Sequence, residues 1–258
     1  MKLEVVGKIK KAGNIIGEKG LFYFFSKLAE KLFFLLKPSI FYIISPLVLM
    51  KVKKASFRSN EETLEFVFNG FWGIIAPLQI KEEISQFVSL IGKREKPRVV
   101  LEIGTARGGV LFLLAKSAHE NAVVISVDLP SSDNKYPGWR TRLYSAFASG
   151  RQKIHLLKAD SHQSSTVEEV KKILNNRQID VLFIDGDHTY GGVKKDFEMY
   201  GPLVGSGGII AFHDIAVHPP EANCGVDKLW NEIKNNFKYL EIINDKNQDW
   251  GGIGIIYK

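Results

Sequence analysis

A single cysteine, Cys224, stands in 258 residues, which excludes an internal disulfide and any cysteine-based zinc cluster. That scarcity accords with a reducing, cytoplasmic setting. Internal repeats and low-complexity tracts are absent as well. Acids are scarce at one end only: residues 1–58 hold three Glu against 12 Lys and Arg, a net charge of +9. The other 200 residues come to a net of −2, so the overall +7 belongs to the N-terminal segment and no nucleic-acid partner is expected.

The sequence thus reads as a basic, hydrophobic, helical segment over 1–58 followed by one domain over 59–258. Leu32 to Met50 is 19 residues long, close to what a bilayer needs, with Lys27 and Lys31 before it and Lys51, Lys53 and Lys54 after it. Lys37, Pro38 and Pro46 interrupt it, and lysines at both ends give no orientation. Three arrangements are open. Residues 20–58 lie on anionic lipid at the inner face of the membrane, pack on the main domain or a second subunit of a homo-oligomer, or span the bilayer; the flanking lysines favour peripheral contact.

From residue 59 the signals are regular. Ser59 and Asn60 followed by Glu61 and Glu62 predict a helix start, and Ile80, Ile84, Phe87, Val88 and Ile91 repeat at helical spacing. Apolar runs at 98–103, 122–127, 153–159, 180–185 and 208–213 then alternate with helical stretches near 108–118, 139–148, 165–175, 190–200 and 226–237. Runs without polar alternation suit parallel strands covered on both faces. Residues 239–244 and 251–258 are joined by a short polar loop, as in a hairpin, which places one antiparallel strand at the end of the sheet. The expected fold is α/β, Rossmann-like and doubly wound.

The turn after the first of these strands, "VLEIGTARGG", lacks something too. A dinucleotide fingerprint needs glycine at 104, 106 and 109, and Ala106 takes the middle place. What is present is acid-x-Gly-x-x-x-Gly, from Glu102, Gly104 and Gly108, which suits a ligand carrying a charged amino acid moiety. Glu102 can meet an ammonium directly or through water, and Gly104 lets the chain turn close to the ligand. The next two strands end in Asp128, placed for two ribose hydroxyls, and in Asp160-Ser161, placed for an adenine amino group or simply as a helix cap.

In this order, "VVLEIGTARGG", "SVDLP", "FIDGDHTY" and "GGIIAFHDI" resemble class I S-adenosylmethionine-dependent methyltransferases. The resemblance is to the cephalosporin-hydroxylase-like, or bacterial small-molecule O-methyltransferase, group, over roughly residues 70–258. It implies a seven-stranded sheet of order 3-2-1-4-5-7-6 with strand 7 antiparallel. It also implies S-adenosylmethionine bound by Glu102, Gly104, Thr105, Gly108, Asp128, Asp160 and Ser161, and a small-molecule or glycan hydroxyl as methyl acceptor. Metal-dependent members hold magnesium with an acid after strand 4 and a residue pair after strand 5. Those positions are Asp185, and His213 with Asp214. His213 departs from the usual acid or amide; an imidazole suits manganese, iron or zinc better, or acts as a base without ligating.

His188, three residues after Asp185, falls where catechol-type enzymes carry a catalytic lysine and is the expected base, with helix capping or packing as the alternative. Asp187 reads as a turn or N-cap residue. Around the site, Tyr136 and Trp139 are expected to form a lid. His218 and Cys224 are expected to face the acceptor, and Trp72 and Gln79 to contribute to the cofactor entrance. An oxidative enzyme on the same scaffold and a non-catalytic, membrane-associated cofactor-binding protein are the rival readings.

Overall fold

The computed structural model describes residues 45–130 and 138–258, apart from the side chains of residues 71, 72, 138 and 139. By contacts the chain divides into Met1–Val48 and Leu49–Lys258, so residues 49–58 group with the larger unit, earlier than the charge change at 58. Most of the apolar basic segment, with the membrane or subunit contact expected of it, lies outside the described residues. Among the described residues no helix is long and apolar enough to cross a membrane.

A helix over 45–54 (α1) precedes α2 (Asn60–Asn69), whose start follows from its sequence. Ser59 Oγ accepts the Glu62 N–H at 3.2 Å, and the Glu62 carboxylate reaches back to the Arg58 N–H at 2.8 Å, so two otherwise unpaired donors are satisfied. In α3 (Lys81–Gly92) the helically spaced Ile84, Phe87, Val88 and Ile91 are all buried. The α/β series follows: β1 (Val99–Ile103), α4 (Gly109–Ser117), β2 (Val123–Asp128), α5 (Gly138–Ser145), β3 (Lys153–Lys158), α6 (Ser164–Leu174), β4 (Ile179–Ile184), α7 (Tyr190–Tyr200), β5 (Val204–His213), α8 (Val226–Ile233), β6 (Lys238–Ile242) and β7 (Ile253–Tyr257).

The sheet order is β3-β2-β1-β4-β5-β7-β6, with β7 antiparallel to both its neighbours, as expected. Every residue of β1 is buried, because this central strand is covered on both faces. The edge strands β3 and β6 carry exposed Lys153, Lys158, Lys238 and Glu241, charges that discourage pairing with a further strand. One boundary differs clearly: β5 begins at Val204, four residues before the apolar run at 208–213, so that it takes in the Gly-rich "GSGG", and its register against β4 shifts between Ile179 and Val181.

Strand order reverses at β1, which pairs with β2 on one side and β4 on the other. In open α/β sheets ligands bind at the carboxyl ends of the strands at such a reversal, where the connections leave in opposite directions and open a crevice. Gly104 and Asp185, the first residues beyond β1 and β4, meet there.

Candidate active site

A cavity of about 850 Å³ opens at this reversal, within the usual range for small-molecule sites. Its wall includes Gly104, Asp128, Asp160 and Ser161 from the β1–β3 side, and Asp185, His188, His213, Asp214 and His218 from the β4–β5 side.

On the first side the turns are held by their own backbone. Gly104 has φ +88, and a Cβ there would overlap the Asp185 carbonyl oxygen, so the glycine is required by the neighbouring strand end. Gly108, at φ +81, leaves room for the Tyr144 ring, whose hydroxyl donates to Ala106 O at 3.1 Å. Ala106 itself adopts φ +44, the left-handed region a glycine would enter freely. The Asp128 carboxylate accepts from the Thr105 and Leu129 backbone N–H groups, while burial holds its pKa above the ordinary value. Thr105 also pairs its hydroxyl with Ser126, so neither it nor Gly108 lines the cavity. Asp160 does line it, yet also accepts from His162 N at 2.8 Å and Gln163 Nε2 at 3.0 Å, which lowers its pKa; the turn role and the wall role coexist.

Glu102 departs from expectation. It is completely buried beside the Thr105 and Ser126 hydroxyls, and it does not line the cavity. Burial pushes its carboxyl well above the usual carboxylate range. Direct contact with a ligand ammonium is therefore not presented, because a central strand covered on both faces gives residue 102 no path to the crevice.

The second side is a mutual arrangement of charges. Asp185 Oδ1 lies 3.0 Å from His213 Nδ1 and 3.3 Å from His188 Nε2. Asp214 Oδ2 lies 3.3 Å from the same His213 nitrogen and 3.1 Å from His188 Nδ1. Each acid has its other oxygen tied from outside: Gln79 Nε2 donates to Asp185 Oδ2 at 2.6 Å, and the Gly251 N–H donates to Asp214 Oδ1 at 3.0 Å, where His218 Nε2 also stands at 3.2 Å. Asp214 adopts φ +66, an uncommon conformation for a non-glycine residue and one found at functional sites.

Burial opposes charge on all of these groups, but the pairing outweighs it. The two acids push His213 up to about 10 although it is 5% exposed, and the imidazoles hold Asp185 and Asp214 below the usual carboxylate range. His188, raised first by its hydrogen bond to Asp185, is the most open member of the cluster, its side chain 45% exposed. The donor atoms of Asp185, His188 and Asp214 lie within 4.8 Å of one another; Asp214, His218 and Cys224 form a second such set.

Asp187 is a turn residue: its Oδ1 accepts from Thr189 N at 2.9 Å, while Thr189, not Asp187 or His188, caps α7 through Gly192 N. Gln79, expected at a cofactor entrance, lines the cavity and secures Asp185. Tyr136 and the side chains of Trp72 and Trp139 lie outside the described residues. Arg140, His162 and Trp250 also line the cavity and escaped the sequence reading. His162 had a signal in its place beside Asp160-Ser161; Trp250, in the loop before β7, had none.

Residues 101–215 match the family model of a methyltransferase domain. A protein of Sinorhizobium fredii is 27% identical over 146 residues, 54% of this chain and 15% of that one. One of Acanthamoeba polyphaga mimivirus is 30% identical over 137 residues, 52% of this chain and 60% of its own. The chain thus spans only part of either relative's length. Among solved structures, the O-methyltransferase TomG of Streptomyces achromogenes, in complex with S-adenosylmethionine, aligns with TM-score 0.52 at 12% identity, over 79% of this chain and 92% of that one. A Bacillus cereus O-methyltransferase in complex with S-adenosylhomocysteine gives 0.50 at 17%, over 82% and 97%. Residues 101–215 are thus similar to a methyltransferase domain, and the chain shares the seven-stranded fold of these solved O-methyltransferases.

Proposed function

We propose that the protein transfers a methyl group from S-adenosylmethionine to a hydroxyl of a small molecule or sugar, with a divalent cation at the β4–β5 side of the cavity. The observation that carries this reading is the convergence of Asp185 and Asp214, 29 positions apart, on one wall of a cavity whose other wall holds Gly104, Asp128 and Asp160. The cofactor's ribose falls to Asp128 and its adenine to the Asp160-Ser161 turn, with the methionine end at Gly104.

The donor set fits a divalent cation: two carboxylates in hydrogen-bonding range of imidazole, each with one oxygen turned inward. Asp185 and Asp214 would hold it, with His213 against both. Such an ion lowers the pKa of a bound hydroxyl and offsets the oxyanion charge. His188, the most exposed member of the cluster, is the group that takes the acceptor's proton when its ring is in the neutral form. Transfer then breaks the sulfonium–methyl bond and forms the oxygen–methyl bond, leaving a methyl ether and S-adenosylhomocysteine.

Calorimetry with S-adenosylmethionine and S-adenosylhomocysteine tests the first half; no binding of either removes the reading. For the second half, His188→Gln is expected to lower turnover on any accepted hydroxyl by about 10²-fold or more, the usual contribution of a positioned base, with cofactor affinity unchanged. Equal turnover would remove His188 from the chemistry.

A further inference from the structure

Resting on the cation reading above, we infer that this site takes an imidazole-seeking transition-metal ion, of the iron or zinc class, in preference to magnesium. Magnesium is a hard ion that favours oxygen ligands and retained water. Imidazole suits zinc and iron. The donors here include a buried ring nitrogen, His213 Nδ1, against both acids. Asp185 Oδ1 and Asp214 Oδ2 are the two oxygens turned inward, and both meet the same two rings, His213 and His188, at 3.0–3.3 Å.

The remaining carboxylate oxygens are withdrawn. Gln79 takes Asp185 Oδ2; Gly251 N and His218 take Asp214 Oδ1. Neither acid is therefore free to offer both oxygens to one ion, and nitrogen must supply what oxygen does not. His213 is the ring that decides the matter. It is buried, its Nδ1 faces both acids, and it occupies the place where the resemblance implies an acid or amide.

Because imidazole favours zinc over magnesium wherever it ligates, a simple affinity ranking does not show that His213 is the ligand. Two readouts do. In the metal-free full-length protein loaded with Mn²⁺ as a probe, electron spin-echo spectroscopy should show ¹⁴N modulation from a directly bound imidazole. Competition of that Mn²⁺ by Zn²⁺ and by Mg²⁺, in wild type and His213→Glu, should show the zinc-over-magnesium ratio narrowing by about tenfold or more once an oxygen donor replaces the ring.

Mn²⁺ bound without ¹⁴N modulation overturns the inference while leaving a cation site, and an unchanged ratio in a folded His213→Glu does the same. Should that variant not fold, the wild-type spectrum decides alone. Binding of no divalent ion overturns both this inference and the cation half of the proposed function. Calorimetry with S-adenosylmethionine on the same sample then tells whether the methyl-donor half still stands.

Discussion

The two walls of the cavity are built on different principles. The β1–β3 wall is held mainly by backbone and turn contacts at its strand ends: Asp128 by the Thr105 and Leu129 backbone, and Asp160 by His162 and Gln163. Each carboxylate finds its partners there without help from the other. On the β4–β5 wall, Asp185, His188, His213 and Asp214 depend on one another, and further support comes from Gln79 and Gly251, far away in the chain. A carboxylate held by backbone tolerates loss of a neighbouring side chain; a mutually compensated cluster does not, because removing one charge strands another in a largely buried site.

That contrast breaks most sharply at Asp185. Asp185→Ala removes a partner of both His188 and His213 and one of the two inward oxygens, so methyl transfer should fall by about three orders of magnitude, the equivalent of several kcal/mol of transition-state stabilisation. S-adenosylmethionine affinity measured by calorimetry should stay within a few fold, since Asp185 lies on the other wall. A parallel collapse of cofactor affinity would mean the walls are one unit and the comparison is wrong.

The converse is Asp128→Ala. Charge-assisted hydrogen bonds to two hydroxyls contribute roughly 1.5–3 kcal/mol each, so cofactor affinity should drop by about 100-fold or more. Mn²⁺ binding should be unaffected, because Asp185, His188, His213 and Asp214 make their ion pairs with one another and with His218 on the opposite wall. A change in Mn²⁺ affinity matching the loss of cofactor would show coupling across the β1–β4 junction.

What was legible in the sequence follows the same division. Turns carry their own signature, so Gly104, Asp128 and Asp160 could be placed at strand ends from local pattern, and apolar runs alternating with helices gave the sheet. Asp185 and Asp214 were legible too, since neighbouring parallel strands bring their ends together. Their supports were not. Nothing in "APLQI" marks Gln79 as the partner of a residue 106 positions later, and nothing marks Gly251 as a donor to Asp214. Long-range hydrogen bonds leave no periodicity. The early start of β5 was hidden for another reason: a glycine-rich run resembles a loop until a neighbouring strand accepts it. Total burial of Glu102 was hidden because an acid after apolar residues reads equally well as a strand end.

Glu102 supplies the smallest expected effect and the finest test of the first wall. Its carboxyl is completely buried, and burial outweighs what the nearby Thr105 and Ser126 hydroxyls return, so the folded protein holds this proton to higher pH than the unfolded chain does. Above the ordinary carboxylate pKa of about 4.3, the unfolded chain then binds fewer protons than the native state, and stability falls as pH rises toward the raised folded value. Glu102→Gln keeps the shape and removes the titration. Urea midpoints of wild type and variant should therefore nearly coincide near pH 4 and diverge above it, with the variant the more stable. If the wild type is instead the more stable at neutral pH, the carboxylate is charged and paired in the native state. In that case Glu102 belongs with the compensated groups of the other wall, and the division between the two walls fails at this residue.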